Sequence, residues 1–227
     1  MDTAVLVLAA GRGERLGGET PKAFVSLAGV PLVVRSIETL LAVNALDCVQ
    51  PVVAVAECER YGELALPDDP RLAPPVPGGV LRQDSVAAGL AALPEEIRFV
   101  GVHDAARCLV TVAEIEKVLE AAQRHGAAIL ATPARDTLKR VRGGIVEATP
   151  DRATCWVAQT PQVFERDVLA RSLEQAKADD FVGTDDAQLV ERLGVPVHIV
   201  EGRPQNIKIT LPGDLGVAEV LRAQEDR

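Results

Sequence analysis

Aromatic side chains are scarce in this chain, at 3% of 227 residues. Any core must be built from Ala, Val and Leu. The 48% hydrophobic fraction suffices for one and excludes a disordered segment. Positive charge is short as well: 24 Lys and Arg stand against 33 Asp and Glu, a formal net charge of −9. That balance argues against duplex nucleic acid or an anionic membrane as partner, because both reward a basic face. A small anionic ligand needs only a few local cations and stays possible. No apolar run approaches the roughly 18–20 residues of a membrane span. Met1, Asp2 and Thr3 lack the basic start of a secretory signal, so a cytoplasmic protein is expected. Cysteine is sparse too. Cys48, Cys58, Cys108 and Cys155 are widely spaced and form no CxxC, which predicts free thiols and neither a zinc site nor a disulfide framework.

The length fits one α/β domain with room for a small excursion. Continuous apolar runs at residues 4–9, 49–56, 97–103, 127–132 and 195–200 read as parallel strands buried on both faces. Helical patterns lie between them. Leu32, Val33, Ile37, Leu40 and Leu41 share a face after Pro31, and Ile115, Val118, Leu119 and Ala122 share one after Thr111, a candidate N-cap. A last helix is expected over residues 213–223. Alternation of this kind predicts a doubly wound, mostly parallel sheet with ligands at the carboxyl ends of its strands. Residues 135–153 break the rhythm: charges, the pair Gly143-Gly144, and Leu138, Val141, Ile145 and Val146 around it predict a protruding β-hairpin. A lone hairpin is marginal in water, so a second subunit is expected to receive it.

The first strand runs into a loop holding Gly11, Gly13, Arg15 and Gly17, followed by Pro21 and Lys22. Glycines there let backbone N–H groups cradle a phosphate, and Arg15 and Lys22 supply charge a triphosphate needs. A dinucleotide fingerprint fails because position 16 is Leu, and a Walker A loop fails because Ala23 follows Lys22. Gly11 and Gly13 alone fit a plain turn equally well. Asp104 closes the run Phe99-Val100-Gly101-Val102-His103, where a carboxylate can be a hard ligand for Mg²⁺ or simply a turn residue.

Further motifs follow in order: Gly78-Gly79 before Arg82-Gln83-Asp84-Ser85; His103-Asp104-Ala105-Ala106-Arg107; Arg135-Asp136-Thr137-Leu138-Lys139; Trp156 and Thr160-Pro161-Gln162; Thr184-Asp185-Asp186; and Glu201-Gly202-Arg203 with Asn206-Ile207-Lys208-Ile209-Thr210. The opening loop resembles sugar-nucleotide-type nucleotidyltransferases in general. The whole set resembles the 2-C-methyl-D-erythritol 4-phosphate cytidylyltransferase family over nearly the full chain.

That resemblance implies a single Rossmann-like, nucleotidyltransferase-like domain over residues 1–227, with residues 135–153 as a dimerisation arm exchanged in a homodimer. It implies CTP and a small polyol phosphate as substrates, with Mg²⁺ on Asp104. Arg15, Lys22 and Lys208 would stabilise transition-state charge. Ala9, Ala10, Gly11, Gly13, Gly79, Arg82, Ser85 and Ala105 would bind CTP, and Thr137, Arg152, Thr160 and Thr184 the acceptor. Thr137 and Arg152 would reach the neighbouring subunit's site. His103 is expected to be a packed neighbour, because an ionised phosphate attacks without a general base. Departures are Leu8 and Cys108, where relatives often have Pro, and Val80 after the glycine pair, where an acidic or small residue is usual. Cys108 would add a thiol open to oxidation beside the metal loop. A ribitol-5-phosphate cytidylyltransferase shares this chemistry, and a non-catalytic nucleotide-binding regulator is the alternative from another class.

Overall fold

The computed structural model of the chain describes residues 2–11 and 20–225. Strands β1 (Thr3–Ala9), β2 (Ser26–Leu27) and β3 (Val30–Pro31) lead into α1 (Leu32–Leu41), β4 (Cys48–Val53), α2 (Cys58–Gly62) and β5 (Val76–Pro77). Then come α3 (Arg82–Ala92), β6 (Phe99–Asp104), α4 (Val112–His125), β7 (Ala127–Pro133), β8 (Arg140–Arg142) and β9 (Ile145–Ala148). The last elements are β10 (Trp156–Glu165), α5 (Arg166–Ala178), α6 (Asp186–Arg192), β11 (His198–Glu201) and α7 (Pro212–Glu225).

Among the described residues the main sheet has seven strands in the order β11-β7-β10-β6-β1-β4-β5. β1 shows why a continuous apolar run predicts a doubly covered strand. Val5, Val7 and Ala9 face a core shared with α1 and α4, while Ala4 and Leu6 face another shared with α3, α5 and α6. Period-two alternation thus divides one apolar run between two layers. Gly89 lets α3 lie close, since a Cβ there would meet Val52 Cγ2 at 2.8 Å and Leu6 Cδ2 at 3.0 Å. Thr111 caps α4 as expected: its hydroxyl accepts from Glu114 N, and Glu114 Oε2 accepts from Thr111 N at 3.0 Å.

Two strands of the main sheet, the short β5 and the long β10, lie outside the apolar runs read from the sequence. β10 is antiparallel to both β6 and β7, so the sheet is mixed. Its interior holds Gln159, Thr160, Pro161 and Gln162, which breaks the apolar run and removes an N–H that a central strand should donate. The ladder accommodates this by a register shift between Ala158 and Gln162. The hairpin is present: β8 and β9 pair antiparallel about Gly143 and Gly144, both at positive φ (56° and 81°), as a primed two-residue turn requires. Among the described residues this ribbon pairs only with itself, and Val141, Ile145 and Val146 stand exposed on it.

Candidate active site

From β1 the chain passes to β4 on one side, then returns to β6 on the other. The carboxyl ends of β1 and β6 therefore form the switch point where an open α/β sheet receives ligands. Leu8 is paired with Asp104 there, and Ala105 N donates to Leu8 O at 3.1 Å.

One cleft opens above this point. Ala9, Ala10 and Gly11 form one wall and Ala105 another. Gly79, Arg82 and Ser85 enter from the start of α3, and Lys22 and Lys208 close the cleft. The other two loop residues singled out above, Gly13 and Arg15, lie outside the described residues. Ser85 is buried; its hydroxyl accepts from Gly79 N at 3.1 Å and donates to Leu81 O at 3.3 Å. It thereby fixes the Gly78-Gly79 turn. Gly78 tolerates no side chain, because a Cβ would lie 2.5 Å from Ala10 Cβ. Val80 is 98% exposed at the mouth.

Asp104 stands at the centre. Its carboxylate pairs with Lys208 Nζ at 2.7 Å and with Arg82 Nε at 3.4 Å. Burial alone would raise its pKa, but the Arg82 and Lys208 charges outweigh burial and hold the carboxyl well below the usual range. Arg82 also donates from Nη1 to Asp186 Oδ2 at 2.7 Å. Lys208 is delivered by the segment after β11, which is tied to α4 where Arg203 N donates to Glu114 Oε1 at 2.7 Å.

A second cleft adjoins the first and shares Arg82, Asp104 and Lys208 with it. Its far side holds Arg107, Gln159, Thr160, Thr184 and Asp185. Thr160 is buried with its hydroxyl between Asp104 N at 3.0 Å and His103 Nδ1 at 3.1 Å, so it positions the strand end that carries Asp104. Thr184 is exposed and bonds within its own segment, with N and Oγ1 both donating to Gln188 Oε1. Thr137 and Arg152 line neither cleft. Both are exposed on the arm, where Arg152 Nη1 donates to Arg135 O at 3.0 Å. Charged groups of this region to which the sequence assigned no role include Arg107 and Asp186. Arg107 Nη1 and Nη2 donate to Asn206 O and Ala158 O, bracing the second cleft's floor. Both residues belong to quoted motifs, which was the signal available.

Cys108 is packed with Leu27, Leu32, Leu109 and Ile209, and burial pushes its thiol up to about 11. It is a core residue, protonated at neutral pH, and not a reactive thiol. His103 is fully buried. Burial first, with the Arg107 charge adding to it and Asp104 opposing, lowers its pKa to about 4. The folded value lies below the ordinary ~6.5, so the neutral ring's contribution is complete above ~6.5 and is lost as pH falls toward 4. Urea unfolding should show wild type losing about 2–3 kcal/mol more than His103→Asn between pH 7.5 and 4.5. Parallel pH profiles for the two proteins would show that His103 titrates normally.

Cations gathered about one carboxylate at a switch point suit a substrate that is a string of phosphates. The class of protein defined by this fold and cleft is the nucleotidyltransferase. The family model of 2-C-methyl-D-erythritol 4-phosphate cytidylyltransferase matches residues 3–224. The protein of that name from Symbiobacterium thermophilum is 46% identical over 225 residues, covering 99% of this chain and 94% of that protein. Among solved structures, that of the Thermus thermophilus cytidylyltransferase superposes with a TM-score of 0.80 at 34% identity, covering 98% of this chain and 100% of the other. The 4-diphosphocytidyl-2C-methyl-D-erythritol synthase of Anaerococcus prevotii gives a TM-score of 0.88 at 27% identity, covering 98% and 96%. The chain belongs to the 2-C-methyl-D-erythritol 4-phosphate cytidylyltransferase family.

Proposed function

We propose that this enzyme joins CTP to 2-C-methyl-D-erythritol 4-phosphate and releases pyrophosphate. The observation that carries the reading is the position of Asp104, ionised between Arg82 and Lys208 on the wall shared by two clefts. One cleft suits the nucleotide, with Ala9, Ala10, Gly11, Gly79, Arg82, Ser85 and Ala105 around it, and Gly13 is proposed to take part in the same binding. The other suits the acceptor, with Thr160 and Thr184. An ionised oxygen of the acceptor phosphate attacks the α-phosphorus, the bond to the bridging oxygen breaks, and pyrophosphate leaves with that electron pair. No proton must be removed, which fits a neutral, buried His103. Negative charge grows on the α-phosphate oxygens, where Arg15, Lys22 and Lys208 stabilise it.

Among the described residues no three His, Cys, Asp or Glu side chains cluster for a metal. The single carboxylate of Asp104 on the wall of both clefts suits Mg²⁺, which keeps several waters and binds through one or two carboxylates plus substrate phosphates. Asp104 would be the protein ligand, and bound Mg²⁺ would neutralise phosphate charge during transfer.

The arm at residues 135–153 would cross to a second copy, placing Thr137 and Arg152 beside the acceptor phosphate of the partner's site in a homodimer. Support comes from the exposed apolar side chains of the arm, Val141, Ile145 and Val146, and from the two clefts of the same chain being lined by neither residue. No described helix is long and apolar enough to cross a membrane, and the cysteines are free. These features fit a cytoplasmic enzyme.

Lys22→Ala and Lys208→Ala should each lower kcat by roughly two to three decades with the fold intact, the cost of a lost transition-state donor. Near-normal kcat in folded Lys22→Ala would remove that residue from the mechanism. The substrate assignment is tested by pyrophosphate release with CTP, UTP, ATP and GTP against methylerythritol and ribitol phosphates. The first acceptor with CTP should dominate. Preference for ribitol 5-phosphate would reassign the substrate, and no turnover with any pair would indicate a binding protein.

A further inference from the structure

Asp186 is fully buried at the first turn of α6. Its backbone N–H is already satisfied by Gln162 Oε1 at 3.1 Å, and the helix is capped by Asp185, whose Oδ1 accepts from Gln188 N. The Asp186 side chain is therefore not needed as a cap. One carboxylate oxygen accepts from Arg82 Nη1, and the other has no hydrogen-bond partner among the described residues. A buried carboxylate with an orphaned oxygen costs stability, and an apolar residue of similar size would pack there more cheaply. Its retention calls for a reason outside stability.

Arg82 supplies one. Its guanidinium lies between two carboxylates and favours Asp186, at 2.7 Å, over Asp104, at 3.4 Å. An arginine facing a single carboxylate closes on it in a two-pronged pair. Were Asp186 uncharged, the Arg82 guanidinium would turn fully onto Asp104, which Lys208 already contacts on its other oxygen. Arg82 would then hold Asp104 by short bonds in place of the present 3.4 Å contact, and a metal would have to compete with it for Oδ1.

We infer that Asp186 is a positioning residue: it draws Arg82 onto itself, leaves Asp104 Oδ1 with only a long 3.4 Å contact, and so keeps that oxygen able to bind a divalent cation. The inference rests on the reading of Asp104 as the metal ligand. It also gives the Thr184-Asp185-Asp186 motif a role on the nucleotide side, across the wall from the acceptor cleft.

The test measures Mn²⁺ binding by electron paramagnetic resonance with a saturating CTP analogue that cannot transfer, so no turnover is involved. Asp186→Asn should weaken Mn²⁺ binding roughly 10- to 100-fold, the range for groups that orient a ligand. Arg82→Met/Asp186→Asn removes both charges of the pair together and should restore affinity to near the wild-type value. A merely structural Asp186 gives a different pattern: lower Tm, with Mn²⁺ affinity per folded molecule unchanged. Equal affinity of wild type and folded Asp186→Asn overturns the inference. So does a double variant that stays as weak as the single, or, should Asp186→Asn fail to fold, a double variant weaker than wild type. Asp104→Asn separates this from the parent reading. If wild type and Asp104→Asn bind Mn²⁺ alike, Asp104 is not the ligand and the parent reading itself fails.

Discussion

Asp104→Asn should remove Mg²⁺-dependent turnover, by roughly three decades or more, in a protein that remains folded. Asparagine keeps the size of the side chain and its place beside Leu8, but an amide oxygen is a poor substitute for a carboxylate toward a hard cation. The fold should tolerate the change, because Arg82 keeps its 2.7 Å bond to Asp186 and the Lys208 side chain is 37% exposed, so neither cation is stranded in the core. Circular dichroism and Tm check folding; kcat at limiting and saturating Mg²⁺ checks the chemistry. Wild-type activity at limiting Mg²⁺ would reduce Asp104 to a turn residue.

Mixing two inactive proteins should restore activity. Arg152 and Thr137 stand on a ribbon that lines neither cleft of its own chain, while Lys22 lines the nucleotide cleft. If each site joins Lys22 of one chain to Arg152 of the other, Lys22→Ala and Arg152→Ala homodimers should both be nearly inactive. In a mixed dimer, one site carries both lesions and the other carries neither. With random exchange about half the dimers are mixed, each with one good site, so activity should approach roughly a quarter of wild type. An arm acting within its own chain leaves one lesion in every site, and mixing then restores nothing. Native mass spectrometry of the exchanged subunits alongside the assay separates failed exchange from failed complementation.

Much of the frame was legible because its physics is local. The apolar run of β1 announced a strand buried on both faces, Thr111 announced the start of α4, and Gly143-Gly144 announced the arm's turn. Asp104 could be singled out because a carboxylate ending an apolar strand lies at a ligand-binding edge. What escaped depends on contacts distant in sequence. β10 is polar in its middle because Gln162 caps α6, through Asp186 N and Ala187 N, and Thr160 holds Asp104 N. No periodicity encodes such duties. Ser85 lines the nucleotide cleft as its motif suggests, but that its hydroxyl also shapes the Gly78-Gly79 turn is visible only in the fold. The role of Asp186 becomes visible only when the fold brings it to Arg82, 104 residues away in the chain.

The central claim is transfer of a nucleotidyl group to a phosphate acceptor, and phosphorus NMR of a reaction mixture tests it most directly. With CTP, 2-C-methyl-D-erythritol 4-phosphate and Mg²⁺, the monoester signal of the acceptor should disappear. A two-phosphorus diphosphate diester should replace it, together with one equivalent of pyrophosphate, and none of this should occur when the acceptor is omitted. Release of CMP with an unchanged acceptor signal, or no consumption of CTP by the folded enzyme, would contradict the account.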